Sequence, residues 1–316
     1  MSVTADTLTA GHRALTEACG LLDRSERGKL ALTGGDAKDF LHGQVTNDVL
    51  GLTPGRGCYA AFLTHKGKMQ GDLRILDLGD ELLLDTERAA LQDLFNMIRR
   101  FKLGRDVELH KRTVQMGLLS LIGPDARKVA GTTTLGADEH DVEAATIAGH
   151  GVMLVATDVG VDVFTEAEDT DAVRAALIEQ GAEPVPAEAA ETLRVEHGRP
   201  RYGIDLDEST MPQEAGINER AVSFTKGCYV GQETVARLFY RGKPNRHLRG
   251  LRLSGPARTG DALTFGEKTV GHVGSVASSP VHGPIALAIV RREVAPGDVV
   301  RIGTGDLTGE VIEPPF

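Results

Sequence analysis

The sequence predicts an α+β protein that contains a duplicated unit and ends in a small β-barrel. Two observations support this. A strand-turn-helix pattern at residues 30–38 (LALTGGDAK) recurs at 119–127 (LSLIGPDAR), and each copy precedes two or three predicted strands and another helix. Similar units at a fixed offset indicate duplication, although a chance match at one such junction is the alternative. After residue 242, short strand patterns alternate with glycine and proline, which is typical of a barrel.

Hydrophobic spacing predicts the elements of the first unit in order. Residues 1–25 are predicted to form a helix and a turn, with Leu8, Leu15 and Leu22 on one helix face. Asp36 is expected to cap a short helix after the first strand. The remaining elements are strands at 28–33, 58–64, 72–78 and 81–85 and a helix at 87–101, with a hairpin turn at Gly79 and Asp80.

Both halves read as the β-α-β-β-α-β order of a ferredoxin-like unit, the second with a helix at 169–180. We therefore expect an α+β region at 1–240, formed by two interleaved units (about 1–112 and 113–240), and a barrel at 241–316. A proline-rich linker at 183–187, a helix at 188–198 and an irregular segment at 199–216 complete the region. The predicted barrel strands are 248–254, 262–265, 269–277, 285–291, 298–302 and 309–313.

Composition narrows the function classes. The chain has 316 residues, 41% hydrophobic and 25% charged, and a net charge of -10, which argues against general coating of nucleic acid. The three cysteines are far apart and lack zinc-site spacing, so we expect a reducing compartment and no metal site. The ten histidines are scattered and are interpreted as ordinary surface or core histidines. We find no signal peptide or membrane-spanning pattern, and therefore expect a cytoplasmic protein.

The segment 226–233, K-G-C-Y-V-G-Q-E, is the strongest candidate for chemistry. Its cysteine, Cys228, lies between two glycines, and Lys226 would favour the thiolate form. A helix beginning near Gln232 would act in the same direction. The alternative is that Cys228 is a small buried hydrophobe in a loop, as most free cysteines are. Residue types alone leave both interpretations open.

A basic run follows this segment and predicts a place where anions bind. No acidic residue occurs between Glu233 and Asp261. A polyglutamate tail, a phosphate or an RNA backbone would suit such a run, although a solvated strand face is the alternative. Tyr229, Phe239 and Tyr240 lie beside it and could stack on a planar ring. The basic residues are Arg237, Arg241, Lys243, Arg246, Arg249, Arg252 and Arg258.

Four segments together resemble one family. They are 40–49 (FLHGQVTNDV), 57–74 (GCYAAFLTHKGKMQGDLR), 193–205 (LRVEHGRPRYGID) and 226–233. In this order they resemble the folate-binding YgfZ family, relatives of the glycine-cleavage aminomethyltransferase (T protein). The resemblance implies a cloverleaf of three domains around a central channel that binds tetrahydrofolate, with the barrel as the last domain.

The resemblance also implies roles for individual residues. Asp72 would face the pterin, and Glu196 would be a second carboxylate there. A carboxylate suits this task because it accepts paired hydrogen bonds from the amino and ring N–H groups of a pterin. Tyr202 and Tyr229 would line the folate site, and Arg237 would meet the glutamate tail of folate.

Two departures from the transferase pattern point to a different role. The transferase usually reads D-x-S-H-M near its start, where this chain has D-R-S-E-R at 23–27, and Cys228 replaces an aspartate of K-x-D-F-I-G-[KR]-E. The cysteine resembles the signature of the branch linked to assembly or repair of iron–sulfur enzymes, including tRNA-thiolating enzymes. One thiol cannot hold a cluster that normally takes four ligands, so a transient contact is implied.

Three functions follow as hypotheses. The leading one is a tetrahydrofolate-binding protein that maintains iron–sulfur enzymes, with Cys228 as reactive thiol tuned by Lys226. The second is a folate-dependent methyl- or aminomethyltransferase in which Asp72 is essential and Cys228 dispensable. The third is a module that docks on tRNA or a tRNA-modifying enzyme through the 237–258 basic run, with folate incidental.

Overall fold

A computed structural model describes residues 4–316 and contains two antiparallel-rich sheets and a closed barrel. Helices cover the outer faces of the two sheets, and the barrel follows at the C-terminal end. The predicted α+β class with a C-terminal barrel is therefore confirmed.

The first sheet has five strands in the order β3-β4-β5-β2-β6, and every neighbouring pair is antiparallel. Phe40 and Leu41 of helix α2 and Leu94 and Ile98 of helix α3 are buried against this sheet. The elements are β2 (Gly28–Thr33), α2 (Ala37–His42), β3 (Arg56–Leu63), β4 (Met69–Asp77), β5 (Leu82–Thr86), α3 (Leu91–Phe101) and β6 (Glu108–Lys111).

The second sheet has six strands in the order β11-β1-β7-β10-β9-β8 and takes in a strand from the start of the chain. Helix α1 (Ala5–Glu17) leads into β1 (Gly20–Asp23), which pairs parallel with β11 and antiparallel with β7. The prediction that Leu22 lies on the helix is therefore wrong, because it belongs to β1, and the predicted turn comes after this strand. The other elements are β7 (Met116–Ile122), α4 (Ala126–Val129), β8 (Val142–Ile147), β9 (His150–Thr157), β10 (Gly160–Glu166), α5 (Thr170–Glu179) and β11 (Glu183–Pro184).

The two copies of the repeat occupy equivalent places. Gly34 and Gly123 each follow the first strand of their unit with φ of 105° and 126°, and a Cβ there would lie 2.3 and 2.5 Å from a backbone oxygen. Only glycine suits such a turn, so both copies need it. Three strands separate the helices of each unit, within the two or three predicted and one more than the β-α-β-β-α-β order has. Asp36 does not cap α2, because its carboxylate accepts the backbone N–H of Asp106.

The two sheets pack face to face. Leu76 and Leu83 of the first sheet share a buried cluster with Leu118, Val155 and Phe164 of the second. Arg74 of β4 crosses this contact, since its Nη1 lies 2.6 Å from Asp162 Oδ2 of β10. Inward-facing side chains of both sheets therefore meet at one surface.

The barrel closes in the order β12-β15-β14-β13-β16-β17, and all six predicted strands are present. Before the barrel come α6 (Ala187–Glu196), α7 (Asn218–Ala221) and α8 (Gln232–Arg241). The strands are β12 (Arg246–Leu253), β13 (Ala262–Phe265), β14 (Lys268–Ser279), β15 (Gly283–Arg291), β16 (Val299–Ile302) and β17 (Thr308–Ile312). Over residues 4–316, no helix has the length and apolar character needed to cross a membrane.

Arg194 of α6 connects the α+β region to the barrel. Its guanidinium pairs with Glu191 and with Asp205, whose side chain is fully buried. The same guanidinium donates to the hydroxyl of Ser275 in β14, which in turn donates to Asp205 Oδ2 at 2.9 Å. Helix, irregular segment and barrel are thereby held in one hydrogen-bonded cluster.

Candidate functional site

A cavity of about 1010 Å³ lies where the two sheets, α6 and the barrel meet. Its wall includes Tyr59 and Asp72 from the first sheet, Ser120 from the second, Glu191 from α6 and Val276 from the barrel. Its volume is at the upper end of the range typical of small-molecule sites. The sequence prediction of a central channel therefore has a structural counterpart.

Asp72 is buried in the wall of this cavity. Its neighbour across the β3–β4 ladder is Ala61, and the hydroxyl of Tyr59, two residues earlier, donates to Asp72 Oδ2 at 2.6 Å. Burial raises the pKa of Asp72 to about 6, the charge of Glu87 acts in the same direction, and the Tyr59 hydrogen bond and Arg27 oppose them. The carboxyl group therefore gains or loses a proton near neutral pH.

Ion pairs between buried side chains stabilise the wall around Asp72. Asp85 accepts from Arg27 Nε at 2.8 Å and from Arg74 Nε at 2.7 Å. Burial would raise the pKa of Asp85, but the two guanidinium groups outweigh it and hold that pKa well below its usual value. Arg27 belongs to the 23–27 segment that departs from the transferase pattern, so part of that departure faces the cavity.

His140 is a cavity residue that the sequence interpretation missed. Its imidazole is buried, both ring nitrogens lack a hydrogen-bond partner, and its φ is 73°. Burial, together with the charges of Arg74 and Arg220, lowers the pKa of His140 to about 3. The ring is therefore neutral at physiological pH. No pattern in the sequence marks this residue, since its surroundings come from distant segments.

Lys226 anchors a loop and does not face Cys228 in the way predicted. Its ammonium donates to the carbonyl oxygens of His42, Val45 and Asn47, at 2.8 and 3.0 Å for the last two. Burial lowers the pKa of Lys226 to about 8. All three ammonium donors are thus used at the end of α2 and on the segment that follows it, and the expected tuning of Cys228 has no contact to support it.

Cys228 is exposed on the outer surface and does not line the central cavity. The loop that carries it packs on the end of α2, where the Val230 N–H reaches the Gly43 carbonyl at 3.3 Å. Gly231, with φ of 86°, then starts helix α8, as the sequence predicts for a helix near Gln232. The alternative of a buried structural cysteine is therefore excluded by the geometry.

Glu196 also lies away from the cavity. Its carboxylate is buried against His12 of α1, with Nε2 2.8 Å from Oε2. Other residues of α6, including Glu191 and Arg194, line the cavity in its place. The face of α6 that meets the cavity is therefore not the one that carries Glu196. Glu196 joins α6 to α1, and the expected pterin contact is not seen at this position.

The remaining predicted folate residues are likewise outside the cavity wall. Tyr229 is buried in a separate apolar cluster, with the Lys226 ammonium 5.0 Å from its ring centre. Tyr202 packs between two such clusters, and Arg237 is exposed on α8. The arginines that do line the cavity are Arg24, Arg27, Arg74, Arg194, Arg199, Arg201 and Arg220.

The basic run is divided among several elements. Arg246 pairs with Glu214, and Arg249 pairs with Glu313. Arg237 and Arg241 lie on α8, near an aromatic group in which Phe224 and Phe239 stack with ring centres 3.9 Å apart. The run is therefore not one continuous basic face. Within residues 4–316, no group of three or more histidine, cysteine or acidic side chains is arranged to hold a metal ion.

Comparison with known families identifies this architecture. Residues 2–226 match the model of the GCVT N-terminal domain, and residues 246–316 match the glycine cleavage T-protein C-terminal barrel domain. The chain belongs to the glycine cleavage T-protein family. The T-protein family relationship covers both sheets and the barrel, and so includes every part of the cavity wall.

A protein sequence and a solved structure are similar to most of this chain. A protein of Arabidopsis thaliana named as a putative chloroplastic transferase is 28% identical over 311 residues, which cover 94% of this chain and 71% of the relative. The crystal structure of aminomethyltransferase T of the glycine cleavage system from Bartonella henselae has a TM-score of 0.86 at 20% identity. That comparison covers 98% of this chain and 89% of the other and concerns the fold.

Proposed function

We propose that this protein binds tetrahydrofolate in the central cavity and supports assembly or repair of iron–sulfur enzymes through Cys228, as in the YgfZ branch of the T-protein family. The observation that carries the folate part is the buried Asp72 carboxyl in the cavity wall, oriented by Tyr59 at 2.6 Å. A carboxylate in such a position accepts paired hydrogen bonds from a pterin.

The cavity wall also suits the rest of a folate molecule. Both apolar and polar side chains line it, as in most sites for ligands of this size. Arg24 and Arg201 line the wall. Arg24 makes a long ion pair with Glu87, at 3.9 Å, and Arg201 pairs with Glu191 at 3.1 Å. These arginines are better placed than the exposed Arg237 to meet the carboxylates of a glutamate tail.

The thiol part of the proposal is supported by the position of Cys228. An exposed thiol on a loop at the surface is accessible to a protein partner, whereas a thiol in the cavity would be accessible only to the small ligand. The other two cysteines are shielded, and burial raises the pKa of Cys58 to about 12 and that of Cys19 to about 11. Cys228 is therefore the thiol suited to a transient contact with a client iron–sulfur enzyme, tRNA-modifying enzymes included.

Calorimetric titration of tetrahydrofolate under reducing, anaerobic conditions tests the proposal. We expect the wild type to bind, Asp72→Asn to lose at least about tenfold in affinity, and Cys228→Ser to bind like the wild type. Asp80→Asn, in the exposed β4–β5 turn, is the matched carboxylate control.

The role of the thiol is measured in cells that lack the protein. Cys228→Ser should fail to restore the activity of iron–sulfur enzymes, whereas Cys58→Ser should restore it. Rescue by Cys228→Ser would contradict the thiol role, and absence of tetrahydrofolate binding by the wild type would contradict the folate role.

A second candidate is folate-dependent one-carbon transfer. It is favoured by the pKa of about 6 at Asp72, because a carboxyl that titrates near neutrality can take or give a proton during transfer. Purified protein with tetrahydrofolate would then turn over an aminomethyl or methyl donor. Activity lost in Asp72→Asn and kept in Cys228→Ser would establish transfer, and no turnover with any such donor would dismiss it.

A further inference from the structure

His140 combines two features that are unfavourable in an ordinary structural residue. Its buried imidazole has no hydrogen bond at either nitrogen, and leaving buried polar atoms unpaired costs about 1–3 kcal/mol each. Its φ of 73° is also an uncommon backbone conformation for a residue other than glycine. Both costs fall on one residue in the wall of the central cavity. Strain and unpaired polar atoms of this kind concentrate at functional sites.

The position of His140 is close to the Tyr59–Asp72 pair. A Cβ on Gly57 would lie 3.0 Å from the Cβ of His140, so His140 packs directly on that glycine of β3. Gly57 and Tyr59 point to the same face of the strand and are about 7 Å apart along it. His140 therefore packs next to the position on β3 that neighbours Tyr59, the residue that orients Asp72.

Glu139, the residue before His140, gives a second connection between His140 and Tyr59. Glu139 is paired with Arg220, and the Arg220 guanidinium lies 5.2 Å from the centre of the Tyr59 ring. Glu139 Oε1 is 3.6 Å from His140 Nε2, which is too long for a hydrogen bond. Because Arg220 already holds the Glu139 carboxylate, the imidazole is left without this acceptor.

The chemistry of the ring defines what it can bind. A neutral imidazole offers one N–H donor and one ring-nitrogen acceptor. An amide or lactam offers the complementary acceptor and donor, and tetrahydrofolate contains both groups. The positive charges of Arg74 and Arg220, which act on His140 more strongly than the nearby aspartates, disfavour a cationic ligand group at this place.

We propose that His140 is a ligand-binding residue of the central cavity, whose neutral imidazole turns from the wall to hydrogen bond an uncharged amide or lactam group of the bound folate. This inference rests on the proposed binding of tetrahydrofolate. Binding would then satisfy one of the two nitrogens that are unpaired in the free protein.

The test compares wild type with His140→Leu, which keeps much of the side-chain volume and removes both nitrogens. We expect the dissociation constant for tetrahydrofolate to rise at least about tenfold, equivalent to about 1.4 kcal/mol. The unfolding temperature of the free variant should not fall, because no hydrogen bond is lost. His272→Asn, on the exposed barrel surface, is the matched histidine control and should bind normally.

A second measurement follows the wild-type protein itself. In protein labelled with ¹⁵N-histidine, tetrahydrofolate should shift both ring-nitrogen resonances of His140, assigned by their loss in His140→Leu, and leave those of His272 in place. If His140→Leu lowers the unfolding temperature, the resonance shift in the wild-type protein becomes the deciding test. Absence of that shift when tetrahydrofolate binds would overturn the inference.

The outcomes separate the two proposals. Wild type that binds tetrahydrofolate, with His140→Leu binding equally well, overturns the inference and leaves the proposed function standing. Wild type that does not bind overturns the folate function and the inference with it.

Discussion

At the scale of single residues, the cavity is defined by side chains whose ionisation is set by burial. Asp72 illustrates this, since its carboxyl group has lost most contact with water and keeps one hydrogen bond, from Tyr59. An Asp whose folded-state pKa lies above its unfolded value binds a proton more readily in the folded chain. Its contribution to the free energy of unfolding therefore falls as the pH rises from about 4 to about 6.

Asp72→Asn tests this directly. The amide is uncharged at every pH, so the variant should gain about 2–3 kcal/mol in free energy of unfolding over the wild type at pH 7, and little or nothing at pH 4. Urea unfolding at both pH values measures the difference. A gain of equal size at pH 4 and pH 7 would show that the burial of the charge is not its source.

Of the two carboxylates that the motifs pair at the pterin, Asp72 lines the cavity and Glu196 does not. A strand residue keeps its face through the alternation of side chains, whereas the face that a helix presents depends on what packs against it. Glu196 is drawn to His12, which is 184 residues away in the chain. His140 was missed for the same reason, because its burial and backbone conformation arise only when β3, β4 and the segment before β8 come together.

At the scale of elements, the loop with Cys228 is held in place by Lys226. The ammonium group donates hydrogen bonds to the carbonyl oxygen of His42, the last residue of α2, and to those of Val45 and Asn47, which follow it. The predicted helix start near Gln232 and the positions of four strands of the first sheet were correct within a few residues, because they depend on local spacing, whereas β6 was not predicted. The direction of the lysine side chain depends on a neighbouring element, which local spacing does not reveal.

Lys226→Met should lower the free energy of unfolding by about 2–3 kcal/mol, because three carbonyl groups lose a charged donor. The rate at which iodoacetamide alkylates Cys228 in the folded protein should remain within about threefold of the wild-type rate. Lys243→Met, an exposed lysine just after α8, should change stability by no more than about 0.5 kcal/mol. Unchanged stability with a tenfold slower alkylation would restore the tuning role first expected for Lys226.

At the scale of the whole molecule, the cavity exists only while the barrel stays docked on the α+β region. Arg194 is the main polar link, because it joins Glu191, Asp205 and the barrel residue Ser275. The repeat and the barrel could be predicted from the sequence, since each has its own periodic pattern. The link between them could not, because Arg194 and Ser275 are 81 residues apart and belong to different patterns.

Arg194→Met should cost about 3–5 kcal/mol in free energy of unfolding, because it leaves the buried Asp205 without its cationic partner. Amide hydrogen exchange should become faster in β14, where Ser275 lies. Arg258→Met, on the exposed barrel surface, is the control and should leave exchange unchanged. Normal exchange in β14 of Arg194→Met would mean that apolar packing alone holds the barrel.

The position of β1 between β11 and β7 in the second sheet affects how the protein can be synthesised and divided. The first sheet is complete once residue 111 has been made, but the second must keep residues 20–23 available until β7 and β11 follow, about 100 and 160 residues later. Pairings this distant in sequence form slowly. During translation the first sheet can therefore fold before β1 has its partners. A fragment starting at residue 113 would lack β1, which leaves the edges of β7 and β11 that pair with it exposed.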